Sequence, residues 1–275
     1  DGKSGYTSKT ANVLLLDPMS GKLLDSMTGF AGDIRSTICY DKATNAFYFD
    51  SKGSYFYRVR VQKDTDGAWK LTDRAELPIG GMSTSTPVVA NGRAYIGVSG
   101  SGQFTEYSGH SITVIDLNGA MSIAYRADTQ GYPQTSGLLT TGYDNYNYIY
   151  FLDNYTPGTL RVLRDKEGQT KADYTTLERV VEGKTERTYT TAYALFTPAG
   201  EQAQYCICSP IVDENGTLYF KNDSGYLMAY GSAVKELKVE SAPTKTHYEA
   251  GDKFDTTGLK VTATYANGVT RDVTK

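Results

Sequence analysis

Apolar and polar side chains alternate with a period of two along much of this chain, and long helical-period segments are missing. The alternation is clearest near the end. Val261, Ala263 and Tyr265 alternate with Lys260, Thr262 and Thr264, which predicts a half-buried strand. Asn267-Gly268 follows, a pair suited to the two positive φ angles of a type I′ hairpin turn. Val269, Arg271 and Val273 then continue one face of a return strand. Leu237 and Val239 predict an earlier strand, which Pro243 breaks.

Upstream, one pattern recurs four times: a Ser-led strand, a turn, then a strand carrying Tyr followed by Phe or Ile. The copies run from Ser36 to Phe49, from Ser85 to Ile96, from Ser136 to Phe151, and from Ser209 to Phe220. The four serines are 49, 51 and 73 residues apart. A third strand follows each pair, at 55–61, 111–117, 159–163 and 226–230. Repeats of this size, with four strands each, suit the blades of a β-propeller. An all-β sandwich with strands at similar spacing is the competing reading.

Two resemblances carry these patterns further. Gly251-Asp252-Lys253-Phe254-Asp255, Gly258-Leu259-Lys260-Val261 and Tyr265-Ala266-Asn267-Gly268 closely resemble the bacterial group-3 immunoglobulin-like module. That resemblance implies an extracellular bacterial protein, on the cell surface or cell wall; the low cysteine use of the chain is compatible with a Gram-positive one. The family pattern continues for several strands past the point reached at Lys275, so the module is expected to be truncated or to pair with something absent. Leu15-Leu16-Asp17-Pro18-Met19-Ser20-Gly21-Lys22, with Ile115-Asp116-Leu117-Asn118-Gly119 as a shorter relative, resembles the hairpin of quinoprotein-like (PQQ-type) propeller blades. The Trp that usually closes that hairpin is replaced by Asp25.

The expected fold is therefore all-β: a quinoprotein alcohol dehydrogenase-like propeller of four-stranded blades over 1–232, then a partial Ig-like β-sandwich module over 233–275. An insertion is expected near 165–205, holding an outer strand at 174–181, a charged hairpin and a further strand at 188–196. The first copy supplies only third and fourth strands and the last only first to third, so N-terminal blades are expected to be missing or closure to be irregular. Asp1 is not a natural start, so the chain is expected to begin after processing or a cut.

Composition narrows the function. A net charge of −3, without a run of five like charges, disfavours a nucleic-acid surface. No stretch of 18 apolar residues is present, so no membrane span is expected in this segment. Cys39, Cys206 and Cys208 cannot make a disulfide framework and read as buried thiols. Two histidines, His110 and His247, poorly equip the chain for zinc or Ser-His-Asp chemistry. Lys63-Asp64-Thr65-Asp66-Gly67 resembles the start of a calcium loop but lacks the later acidic ligand, so a turn is favoured over a cation at Asp64 and Asp66.

The quinoprotein resemblance implies a quinone held with calcium, a catalytic Asp and often a vicinal disulfide. Cys206 and Cys208 are not adjacent and no Asp matches the catalytic position, so no cofactor, metal or catalytic residue is expected.

In a four-stranded meander, second-to-third loops and blade-to-blade loops emerge on one face, where sites are often built. The longest second-to-third loop carries Phe104, Glu106 and Tyr107; the loop 129–134 brings Tyr132 and Gln134 to the same face. Aromatic rings beside amide and carboxylate groups suit a sugar or a peptide. These five are the candidate ligand-binding residues. Tyr143 to Tyr148 falls at a first-to-second turn on the opposite face and reads as turn chemistry. The expected function is non-enzymatic adhesion or capture of an extracellular glycan or protein by a monomer. A structural protein–protein scaffold is the first alternative, and a quinoprotein or carbohydrate-active enzyme the second.

Overall fold

A computed structural model describes residues 11–100, 109–141, 145–172, 175–181, 184–266, 268 and 270–274. The chain divides into two compact units, 1–211 with 219–228, and 212–218 with 229–275. No helix among the described residues is long and apolar enough to cross a membrane.

The first unit is a succession of antiparallel meanders. β1 (Ala11–Leu16) and β2 (Leu23–Phe30) form a two-stranded sheet. β3 (Cys39–Asp41), β4 (Ala46–Ser51), β5 (Tyr55–Lys63) and β6 (Trp69–Pro78) form a four-stranded sheet in that order. A second consists of β7 (Val88–Ala90), β8 (Arg93–Val98), β9 (Ser111–Asp116) and β10 (Ser122–Asp128). The third starts with β11 (Leu138–Thr141), β12 (Asn147–Phe151) and β13 (Leu160–Asp165).

The expected insertion is differently arranged. Among the described strands β14 (Thr175–Val181) and β15 (Lys184–Thr191) pair only with each other, and the outer strand of the third sheet is β16 (Tyr193–Phe196). The hairpin thus leaves the sheet and returns, so its period-two pattern belongs to no blade. β17 (Ile211–Val212), β18 (Leu218–Lys221) and β19 (Leu227–Tyr230) form a three-stranded sheet.

Inner strand β3 lies beside β7, and β7 beside β11, as in a propeller. Alternation along each strand therefore fills two cores rather than one. On β8, Ala94, Ile96 and Val98 face the first four-stranded sheet, packing with Tyr48, Phe56 and Ile79. Tyr95 faces the other way, into a core with Ile149, Phe151 and Leu163. Every residue of β8 is consequently buried. Val13 and Phe30 pack in the same manner on Phe49, Tyr57 and Val59. Most of the buried tyrosines are such inter-sheet core residues.

Acidic residues set the turns. Asp17 Oδ1 accepts the backbone N–H groups of Met19 and Ser20 at 3.1 and 2.7 Å. Asp213 Oδ1 takes those of Asn215 and Thr217 at 2.8 and 2.9 Å. Asp64 Oδ1 is used the same way, by Asp66 and Ala68 at 3.0 and 2.9 Å. Asp25, in the place of the usual Trp, accepts the Leu71 N–H at 2.9 Å and so ties β2 to the neighbouring sheet.

The second unit holds β20 (Val234–Ser241), β21 (Lys260–Tyr265) and β22 (Thr270–Asp272) in one antiparallel sheet. Leu237 and Val239 fall opposite Ala263 and Val261, as the alternation requires. Ala263 is buried, while Leu237 and Val239 are 64% and 61% exposed. At the predicted hairpin Gly268 has φ 82° and donates to the Tyr265 carbonyl at 2.9 Å.

Candidate functional site

The repeat is best aligned by its backbone. The N–H groups of Lys52, Ser99, Asn154 and Asp223 donate to the carbonyls of Asp33, Met82, Tyr132 and Tyr205 at 2.9, 3.0, 2.9 and 3.3 Å. Each bond joins the end of a second strand to the loop that enters its own sheet. Counting three residues on from each carbonyl gives Ser36, Ser85, Thr135 and Cys208, and three more reach the first residue of β3, β7, β11 and β17. The sequence pattern had Ser136 and Ser209 in the third and fourth copies. The structure moves both one residue back, because an inter-sheet bond tolerates any short polar side chain and serine alone is a poor register mark. Ser85 Oγ donates to the Thr135 carbonyl at 2.8 Å, and Thr135 Oγ1 to the Cys208 carbonyl at 3.3 Å.

This register places the residues on either side at one mouth. Arg35, Thr84, Gln134 and Ile207 occupy the same position in four successive copies, one before the aligned residue. Together with Thr86, Thr135, Ser136 and Ser209 they line a cavity of about 360 Å³. That size is within the range of small-ligand sites. The loops that carry these residues are the blade-to-blade loops.

Polar groups here have defined directions. Gln134 Oε1 accepts from Asn154 Nδ2 at 3.2 Å, and the Gln134 amide nitrogen is the donor of that side chain. Thr86 Oγ1 accepts the Thr37 N–H at 3.0 Å. Arg35 is 50% exposed along its side chain, and its guanidinium lies 3.5 Å from Asp33. Lys52, only 3% exposed, reaches the same Asp33 carboxylate at 3.9 Å. Arg35 and Lys52 thus share one carboxylate at this wall of the mouth.

Beneath the mouth lies a buried acidic group, Asp50, at 0% exposure. Burial pushes its carboxyl well above the usual range. The hydroxyls nearest it, on Ser36 and Ser83, are committed elsewhere: Ser36 Oγ donates to the Asp50 carbonyl at 3.1 Å and Ser83 Oγ to that of Gly97 at 2.7 Å. Neither Asp50 carboxyl oxygen has a hydrogen bond of normal geometry. Asp153 is buried too, but Arg161 lies 3.5 Å from it and the Thr159 N–H donates at 3.3 Å. Arg161 also donates to Gln130 at 3.1 Å, holding the loop 129–134 in place.

Of the five residues expected to bind ligand, Phe104, Glu106 and Tyr107 lie outside the described residues. Gln134 lines the mouth. Tyr132 does not present its ring to solvent: it is fully buried, and its hydroxyl receives the Thr84 N–H at 2.6 Å. Burial, with the Asp50 charge adding to it, raises the Tyr132 phenol to about 12. A Tyr in a loop flanked by Gly and Pro looks like a surface ring in sequence, and only the docking of the neighbouring loop closes over it. Arg35 and Thr84 escaped notice because the pattern drew attention to the serines beside them. Their signal was their fixed offset from the repeat.

Elsewhere the expected chemistry is structural. Cys39, Cys206 and Cys208 are free, Cys206 buried and the other two half-buried; burial drives the Cys206 thiol up to about 12. No group of three or more metal-ligating side chains occurs among the described residues. Tyr146 lies under Arg164 and Lys166, 4.5 and 4.8 Å from its ring centre, beside the turn expected there.

Residues 241–275 match the bacterial Ig-like domain (group 3), a module that occurs in bacterial surface proteins. No curated protein matches the chain. Among solved structures the chain is similar to the WD40 β-propeller domain of Doa1, at 13% identity and a TM-score of 0.37, covering 97% of this chain and 86% of that one. At that score the likeness carries no argument; the propeller-type fold stands here on the strand order of the sheets and the succession of inner strands.

Proposed function

We propose that this chain is a non-enzymatic binding module of an extracellular bacterial surface protein, and that the propeller mouth captures a hydroxyl-rich ligand, a glycan. The observation that carries this reading is the convergence of one repeat position from four successive copies on a polar cavity. A repeated backbone with varied side chains at one position is a rigid frame for recognition. Hydroxyl, amide and guanidinium groups, with Ile207 as an apolar neighbour, match the mixed polar and C–H surface of a sugar. None of the described lining residues is a carboxylate, thiol or imidazole, which favours binding over hydrolysis. The group-3 Ig-like match supports the surface location. The quinoprotein-like hairpin is read as ancestry of the blade, without its cofactor.

The test is a glycan microarray with the chain and with a Gln134→Ala, Ser209→Ala double variant. Discrete hits that vanish in the folded variant support a lectin at the mouth. Hits that persist unchanged move the site elsewhere, and a blank array rejects the glycan.

A scaffold role is the second reading, favoured by β1. Leu14 and Leu16 on it are 57% and 49% exposed, and beside it Val13, Leu15, Ile38, Phe47, Val61 and Leu71 line an apolar groove of about 220 Å³. Among the described strands β1 pairs with β2 alone. A surface-extract partner that binds the chain and is lost on Leu14→Lys would favour it; equal capture by both would remove it.

A further inference from the structure

We infer that the ligand of the mouth carries a carboxylate, seated on Arg35: an acidic sugar such as a uronic or sialic acid, rather than a neutral one. This rests on the glycan reading above and adds the chemical class.

Three observations converge on it. First, Arg35 is the one charged side chain among the described residues lining the mouth, and half of it is open to solvent. Its counterparts at the same repeat position are Thr84, Gln134 and Ile207, so the charge is not demanded by the fold. Second, Asp33, the acid beside Arg35, is shared with another cation: Lys52 approaches the same carboxylate at 3.9 Å from the buried side.

Third, the other groups divide into acceptors and donors in a way that suits an acid with hydroxyl neighbours. Thr135 Oγ1 spends its proton on the Cys208 carbonyl and Ser136 Oγ on the Gly137 carbonyl, at 3.3 and 3.2 Å, which leaves their lone pairs to receive sugar hydroxyls. The Gln134 amide nitrogen joins Arg35 as a donor, its oxygen being held by Asn154. A guanidinium can take a carboxylate through two parallel N–H···O bonds, a geometry no neutral hydroxyl reproduces. Asp33 keeps the guanidinium at the rim without a short bond, at 3.5 Å, so a ligand carboxylate can displace it.

The experiment uses the whole chain with immobilised oligosaccharides ending in glucuronate or sialate, and the same oligosaccharides after carboxyl reduction. Wild type and Arg35→Gln are compared, with Arg35→Lys as the conservative variant and thermal unfolding as the check on folding. Wild type should bind the acids, and Arg35→Gln or carboxyl reduction should each weaken binding about tenfold or more, since hydrogen bonds to charged groups are the strong ones. Arg35→Lys should restore part of that loss, and wild-type affinity should fall with added salt. Equal binding of acid and reduced sugars, or no effect of Arg35→Gln, overturns the acidic class while leaving a glycan at the mouth. Binding of no sugar in either form overturns the glycan reading and this inference together.

Discussion

The Tyr95 hydroxyl donates to Asp165 Oδ2 at 2.7 Å, joining the second four-stranded sheet to the third within their shared core. Tyr125 donates to the other carboxyl oxygen at 2.8 Å, Asn147 Nδ2 donates to the Tyr95 hydroxyl at 2.7 Å, and Arg93 lies 3.7 Å from Asp165. Arg93 and Asp165 are 1% and 0% exposed along their side chains. Three hydrogen bonds between buried polar groups of the two sheets fix how the sheets dock, and leaving one unmade is costly. Tyr95→Phe should cost about 1–3 kcal/mol, the penalty of an unmade buried bond. Asp165→Ala should cost about 3–5 kcal/mol, because it leaves both tyrosine hydroxyls without their acceptor and removes one of the two carboxylates beside the buried Arg93. Urea unfolding of both variants checks the order; equal, small losses would mean the network is not cooperative.

Asp50 should make the protein more stable in mild acid than at neutral pH. Its folded carboxyl titrates above the unfolded one, so the folded chain holds a proton that the unfolded chain has released. Stability is full below the ordinary carboxylate range, near about 4, and declines as pH rises towards the folded value. Asp153 and Asp165 are shifted the same way and share in the slope. Asp50→Asn should therefore flatten the melting-temperature profile between about pH 5 and 8 without abolishing its slope. An unchanged slope in that variant would place the titration elsewhere.

Tyr132→Ala should unfold the mouth before it affects any ligand directly. Removing a fully buried aromatic costs about 3–5 kcal/mol. Tyr132→Phe keeps the packing and loses the hydroxyl's bonds, those to Thr84 among them, so its cost should be about 1–2 kcal/mol. Thermal melts of the two variants separate packing from hydrogen bonding; equal losses would show that the hydroxyl carries the whole effect.

Close backbone approach sets two glycines. A Cβ on Gly81 would stand 1.8 Å from the Ser99 carbonyl oxygen, and one on Gly97 1.6 Å from that of Pro133. Neither clash can be relieved by a side-chain rotation. Gly81→Ala and Gly97→Ala should each cost at least about 1–3 kcal/mol, and Gly97→Ala should also disturb the mouth, since Pro133 precedes Gln134. Near-wild-type melting of both would disprove the close approach.

Cys206 should resist alkylation at pH 8 in the folded chain and react once denaturant exposes it, because its thiol titrates at about 12. Peptide mapping by mass spectrometry, with and without urea, reads this directly.

Period-two alternation was enough to mark most strands of the sheets, and Asn-Gly or Asp-led turns were enough to mark many of the connections, because both signals are local. Val261, Ala263 and Tyr265 show it: neighbouring positions decide which face of a strand each side chain takes. The repeat itself was legible, as was the face on which loops gather. What the sequence could not settle was every feature that depends on a neighbouring sheet. The aligned position moved from Ser136 and Ser209 to Thr135 and Cys208 because bonds between sheets define it. The β14–β15 hairpin reads as blade strands locally, yet its register is closed within itself. Tyr132 looks like a surface ring until the Thr84 segment covers it. Arg35, Thr84, Gln134 and Ile207 lie 49, 50 and 73 residues apart and become one cavity wall only when the sheets stack. Local chemistry thus determined strands, turns and face; the packing of sheet on sheet, which joins residues far apart in the chain, decided which side chains are core and which form the mouth.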